Sequence, residues 1–166
     1  MAYTLEQFAA ACHDALVADP GPGGRKKVCE VVQEVLKDEA FVGKYVGDDV
    51  PERKILYEDP KLGFCILAHV YTGKKESNPH DHGPSWAIYG QARGETEMSD
   101  YELLEAATAE KTGKVRKTRT YKLTPGVAHV YNEGDLHSPK RVDSTMLIRI
   151  EGVNMDKVKR FKFEAV

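Results

Sequence analysis

Two imidazoles two residues apart, His80 and His82 in the run Asn78-Pro79-His80-Asp81-His82-Gly83, constrain this chain more than any other feature. On a β-strand, residues i and i+2 project from the same face. The two rings can then grip one metal ion from one side. Three readings compete for such a pair: a metal site, a hydrogen-bonding pair, and a chance pair on the surface. A further imidazole, His137, follows the turn Asn132-Glu133-Gly134 and opens another run of β-formers, so the fold can bring it in as a third ligand.

The rest of the chain reads as a scaffold for these residues. Residues 1–50 carry helical patterning. Thr4-Leu5-Glu6-Gln7 has the form of a capping box, and Leu5, Phe8, Ala9, Cys12, Leu16 and Val17 recur at helical spacing. Asp19 to Gly24 reads as a turn, and a second helix is expected from Arg25 to about Lys37, burying Val28, Val31, Val32 and Leu36. Phe41, Tyr45 and Val46 continue a looser helical pattern, which Gly47 to Pro51 breaks. Residues 51–166 change to short β-runs separated by Gly, Pro and Asn. Strands are expected at 53–58, 63–72, 86–92, 95–101, 114–122, 127–131, 135–141, 144–150 and 158–164, with a helical turn or loop at Leu103–Glu110. Many short strands without intervening helices predict an antiparallel sandwich or small barrel, in one structural domain with the helical segment.

Composition excludes several partners. The chain has 166 residues and a formal charge of −2, which gives no reason to expect nucleic acid or an anionic membrane. The basic stretch Lys111–Lys122 alternates with Val115, Thr118 and Thr120, as an exposed strand does. No run is long and apolar enough to span a bilayer. Cys12, Cys29 and Cys65 are odd in number and far apart, which fits buried thiols in a reducing compartment. The N-terminus lacks the basic and apolar regions of a signal peptide. The cytoplasm is the expected location.

The spacing around the histidines is specific. After His82 come four residues, Ala87, six residues and Gly94; Gly73 lies upstream of His80. Gly126 is followed by five residues, Asn132, Glu133, Gly134, two residues and His137. These two stretches resemble the paired motifs of the cupin superfamily, over roughly residues 53–152. The resemblance implies a mainly β fold, a cupin double-stranded β-helix (jelly-roll barrel) with an N-terminal helical segment and a metal at the barrel centre. It implies His80, His82 and His137 as ligands. Ala87 stands where the motif has a glutamate, and Asn132 where it has a proline.

Alanine cannot ligate a metal, so three histidines remain. A three-histidine cupin with a helical N-terminus is similar to the thiol dioxygenases of the cysteine and 3-mercaptopropionate type. That similarity implies Fe(II) and O2 as cofactor and co-substrate, a small thiol as substrate and a sulfinate as product. Three imidazoles also suit Ni, Zn, Cu or Co. Family members carry a Ser-His-Tyr network after the third ligand; the strand Ser144–Glu151 has neither His nor Tyr. They bind the substrate carboxylate with an arginine, for which Arg53, Lys54 and Arg149 are candidates. Tyr71, Trp86, Tyr89 and Tyr131 are candidates for the pocket wall, or else for aromatic core. His129 is a candidate hydrogen-bond donor or acid/base lining the barrel, and a weaker candidate for third ligand than His137. His69 reads as a core histidine and His13 as a surface or capping one. Other cupin chemistries stay open: a C–C-cleaving dioxygenase, an isomerase, a lyase, or a non-catalytic metal- or ligand-binding module. Cupins often pair through strand contacts, so a homodimer is a further expectation of the resemblance.

Overall fold

Sequence patterning from Lys54 onward builds two facing five-stranded sheets, in a computed structural model that describes residues 3–166. Met1 and Ala2, the start of the N-terminus read above for a targeting signal, lie outside the described residues. The strands are β1 (Lys54–Glu58), β2 (Cys65–Tyr71), β3 (Lys75–Glu76), β4 (Ala87–Arg93), β5 (Thr96–Glu105), β6 (Gly113–Leu123), β7 (Ala128–Tyr131), β8 (Leu136–Arg141), β9 (Thr145–Glu151) and β10 (Phe163–Ala165). One sheet has the order β1-β2-β9-β4-β7 and the other β10-β6-β5-β8-β3. From β2 to β10 the chain passes repeatedly between them. This is the expected double-stranded β-helix, in which the two sheets curl over one interior.

The central strands of the first sheet, β2, β4 and β9, are buried on both faces. Ile66, Ile88, Ile148 and Ile150 point outward and join one apolar cluster with Phe8, Val28, Val32, Leu36 and Phe41 of the N-terminal helices. Their strand neighbours Ala87, Tyr89 and Tyr131 point inward and pack with Met98 and Leu123 of the second sheet. These strands therefore carry continuous buried runs rather than an alternation of buried and wet residues.

The helices are α1 (Leu5–Ala18), α2 (Pro22–Leu36) and α3 (Glu39–Tyr45). Thr4 and Gln7 form the reciprocal capping box, at 3.1 and 3.0 Å. Asp38 caps α3 by accepting from the Ala40 and Phe41 amides. Helix α2 begins three residues earlier than the expected Arg25. Pro22 occupies its first turn, where a missing N–H is harmless. Gly24 is required there, since a Cβ would stand 1.7 Å from the Asp19 carbonyl oxygen.

Two expectations are adjusted at the barrel's edge. The strand expected at 158–164 shrinks to β10, after a 3₁₀ turn at Met155–Lys157 and an irregular segment. Of the helical turn or loop expected at Leu103–Glu110, the loop is found, but it starts later, because β5 runs on to Glu105. Local composition did not separate these, because long β5–β6 pairing decides where β5 stops. Three of the basic residues of β6 form ion pairs, Arg116 with Glu102, Arg119 with Asp100 and Lys122 with Glu95.

Candidate metal centre

His80 and His137 face each other as an antiparallel bridge, each backbone N–H donating to the other's carbonyl at 2.9 Å. His82 lies just beyond that bridge. The expected regular strand through His80 and His82 is not formed: the chain leaves the bridge and turns at Gly83, whose φ is +58°. The Asp81 carboxylate accepts from the Gly83 amide at 3.0 Å and so shapes the turn. The rings still converge. Their centroids lie 4.7 Å (His80–His137), 5.2 Å (His82–His137) and 5.7 Å (His80–His82) apart. One ring nitrogen from each falls within 4.8 Å of the other two.

Hydrogen bonds fix two of the tautomers. His80 Nδ1 donates to the Asn78 carbonyl and His137 Nδ1 to the Asp135 carbonyl, both at 2.9 Å. Each Nε2 is left with a lone pair, as metal-binding histidines require. The Tyr89 hydroxyl stands 3.2 Å from Nε2 of both His82 and His137. Burial, reinforced by nearby arginines, pushes His80 down to about 4, and burial holds His82 and His137 well below the ordinary imidazole range. All three rings are thus neutral at physiological pH. The donor set fits a borderline divalent cation, with its remaining positions open.

No carboxylate joins this group among the described residues. Ala87 is fully buried and pairs with Tyr131 on one side and Glu151 on the other. Glu151 is itself buried, yet its oxygens accept from Arg53 Nη1 and Nη2 at 2.8 and 3.0 Å. Arg53, a candidate for a substrate carboxylate, is therefore already engaged, and Lys54 is exposed.

A cavity of about 600 Å³ opens against His80 and Tyr89. His80, Tyr71, Tyr89, Arg141, Arg149 and Arg160 line it, and no acidic residue does. Arg149 lies with its guanidinium 4.3 Å from the Tyr89 ring centroid. Tyr71 places its hydroxyl 3.1 Å from His69 Nδ1, which also lies 2.9 Å from the Glu52 carbonyl oxygen. His69 is a buried residue of the barrel interior.

His129 is apart from the cluster. Its ring lies 4.6 Å from Tyr131 and 5.3 Å from Tyr121, beside a separate cavity lined by Asp100 and Arg119. Tyr131 stacks on His137 at 4.1 Å and its hydroxyl meets that of Tyr121 at 2.7 Å. Trp86 packs in the outer core under the helices. His13 pairs with Asp59 at 3.1 Å.

The motif spacing points to neither Arg141 nor Arg160. Arg141 shares strand parity with His137 and Pro139 on β8, and this signal was available. Arg160 enters from the irregular segment before β10, where no pattern signals it.

No family model matches the sequence, and no curated protein matches it. Solved structures do. A cupin superfamily protein from Desulfitobacterium hafniense is 10% identical, covering 61% of this chain and 76% of its own, with a TM-score of 0.43. KdgF from Halomonas sp. is 20% identical, covering 68% of this chain and 92% of its own, with a TM-score of 0.46. A cupin-2 domain protein from Shewanella frigidimarina is 14% identical, covering 59% and 76%, with a TM-score of 0.42. The chain has a double-stranded β-helix that carries a three-histidine group able to hold a metal.

Proposed function

We propose that this chain is an iron(II)-dependent dioxygenase that converts a small thiol to its sulfinate. The observation that carries the reading is the cluster of three neutral imidazoles, His80 half-buried and His82 and His137 buried, with no carboxylate among the ligating groups and an open cavity against His80. His80, His82 and His137 would hold the metal. Iron bound there would supply O2 activation and favour the thiolate form of a coordinated sulfur. In the balanced reaction, thiol and O2 combine so that both oxygen atoms end on sulfur.

The chain's own residues have definite tasks in this reading. The Asn78 and Asp135 carbonyls hold two rings in the ligating tautomer. The Tyr89 hydroxyl offers a hydrogen bond within the cluster. Arg149 orients an acidic group of the substrate from the cavity wall. The buried interior around Ala87, Tyr89 and Met98 limits water. Three free, buried cysteines suit a reducing compartment such as the cytoplasm.

A second reading has its own support. β9 carries neither the His nor the Tyr that thiol dioxygenases place after the third ligand. This favours another metal-dependent reaction (C–C-cleaving dioxygenase, isomerase or lyase) or a binding role. O2 uptake by anaerobically iron-loaded protein decides between them, with cysteine, 3-mercaptopropionate and cysteamine as substrates and His137→Ala as control. Uptake with sulfinate formed, absent in the variant, is the expected result. No uptake by protein holding stoichiometric iron would sink the thiol reading.

A further inference from the structure

The cavity against His80 and Tyr89 holds more positive charge than the chain balances. Arg141 is 2% exposed, and its Nε and Nη2 have no hydrogen-bond partner. No carboxylate comes within 4.0 Å of it among the described residues; its guanidinium rests on the Tyr71 ring at 4.5 Å. Arg149 has an unpartnered Nε and only a distant carboxylate, Glu151 at 3.8 Å. Glu151 is already occupied by both prongs of Arg53. Of the two buried arginines that line the cavity, Arg141 therefore has no carboxylate partner and Arg149 has only a shared, distant one. Arg160 and Lys162 add two more cations at the mouth, and no acidic side chain lines the space.

Burying an unpaired guanidinium is costly, because the lost hydration is not replaced. A chain tolerates the unpaired Arg141 and the loosely paired Arg149 in one cavity where a bound anion completes the charge balance. The two are also held apart. Arg141 ends β8 in one sheet, whereas Arg149 sits in the middle of β9 in the other. Each rests on a different tyrosine, Tyr71 or Tyr89. A planar guanidinium matches a carboxylate in a two-pronged pair.

From this arrangement we infer that the cavity binds a small dicarboxylate, one acid group on Arg149 beside the histidines and the other on Arg141. The inference deepens the thiol reading, since the substrate would be a thiol-bearing dicarboxylic acid. The binding itself does not depend on that reaction. Arg141 is then a specificity residue that distinguishes dianions from monoanions.

The test is binding, kept separate from turnover by using metal-free and zinc-loaded protein. Calorimetry and thermal melting are run with malonate, succinate, glutarate, propionate and inorganic phosphate. One dicarboxylate should bind at least about tenfold more tightly than propionate, as one added charge-assisted pair predicts. Arg141→Met should bring dicarboxylate affinity down to the propionate level. It should also raise the melting temperature of the ligand-free protein, since it removes an unbalanced buried charge. Equal affinity for propionate and every dicarboxylate in the unmutated protein would overturn the inference, and that measurement needs no variant. So would phosphate binding more tightly than all dicarboxylates, or a lower melting temperature of ligand-free Arg141→Met. Failures of the two readings are distinguishable. Tight dicarboxylate binding without thiol oxidation removes only the reaction. Oxidation of monocarboxylate thiols with no dianion preference removes only the dicarboxylate.

Discussion

Replacing Glu151 with glutamine should be among the most damaging single changes in the barrel, although it exchanges one oxygen for a nitrogen. The carboxylate is 1% exposed and accepts from Arg53 at 2.8 and 3.0 Å and from the Met155 amide at 3.2 Å. The amide side chain would keep the shape but leave Arg149 with no carboxylate within 4.0 Å and Arg53 with only the exposed Asp156, at 3.2 Å. Removing one partner of a buried ion pair costs about 3–5 kcal/mol. The Arg53 side chain is 27% exposed and regains some hydration, so the lower end, about 3 kcal/mol, applies here. At about 2–4 °C per kcal/mol for a domain of this size, the melting temperature should fall by about 6–12 °C. Arg53→Met should cost less, about 1–2 kcal/mol, because Arg149 remains 3.8 Å from the carboxylate. The double variant should cost less than the sum of the two, with a coupling of at least about 1 kcal/mol. Urea unfolding of the metal-free proteins reads all three. A Glu151→Gln cost below about 0.5 kcal/mol, the range of ordinary surface changes, would refute the reasoning. So would Arg53→Met proving the worse of the two.

Three other outcomes follow from the packing. Gly90→Val should cost about 1–3 kcal/mol or more by urea unfolding; even a Cβ there would meet Val32 Cγ1 at 2.7 Å, where α2 crosses β4. Arg25 reaches from α2 to Asn132 at 3.0 Å and forms an ion pair with Glu133. Arg25→Met should therefore weaken metal binding severalfold in a competition titration, with His80, His82 and His137 intact, because the turn leading to His137 loses its brace. Burial raises the Cys12 thiol from 9.0 to about 12 and Cys29 to about 11. Both should resist iodoacetamide at pH 8 until the chain unfolds. The folded thiols hold their protons more tightly than the unfolded ones, so their contribution to stability is complete below pH 9 and declines between about 9 and 12. Alkylation of the native protein at the rate of a free thiol would contradict that burial.

The barrel was legible because its signals are local. β-runs and Gly- or Asn-centred turns recur from Arg53 to Glu151, and the spacing from His80 to His137 survives any small error in strand ends. The chemistry of the cavity was less legible. Arg53 looked available for substrate, but Glu151, almost a hundred positions away, closes that option once the sheet forms. Arg141 sits among Lys140, Val142 and Asp143, which are exposed, so its neighbourhood reads as surface. Only the phase of β8, counted from His137, shows that it turns inward. The segment before β10 carries Arg160 to the cavity without regular structure, and no periodicity announces it. The unexpected turn after His80 has the same origin: Gly83 and Asp81 favour it locally, and the bridge to His137 needs only one residue pair.

The sheet covered by the helices has a consequence for how such a protein can change over time. On β9, Leu147, Arg149 and Glu151 belong to the interior, and Met146, Ile148 and Ile150 alternate with them against the helical layer. One set faces the barrel interior, the other seats the helices. Substitutions at the first set can drift toward new ligands while the second is untouched, so specificity is free to wander one residue at a time. Insertion or loss of a single residue has the opposite character. It would turn Arg149 and Glu151 into the oily layer and point three apolar side chains into the barrel interior. Lineages of this barrel should therefore diverge by exchange within strands and record their length changes only in the loops.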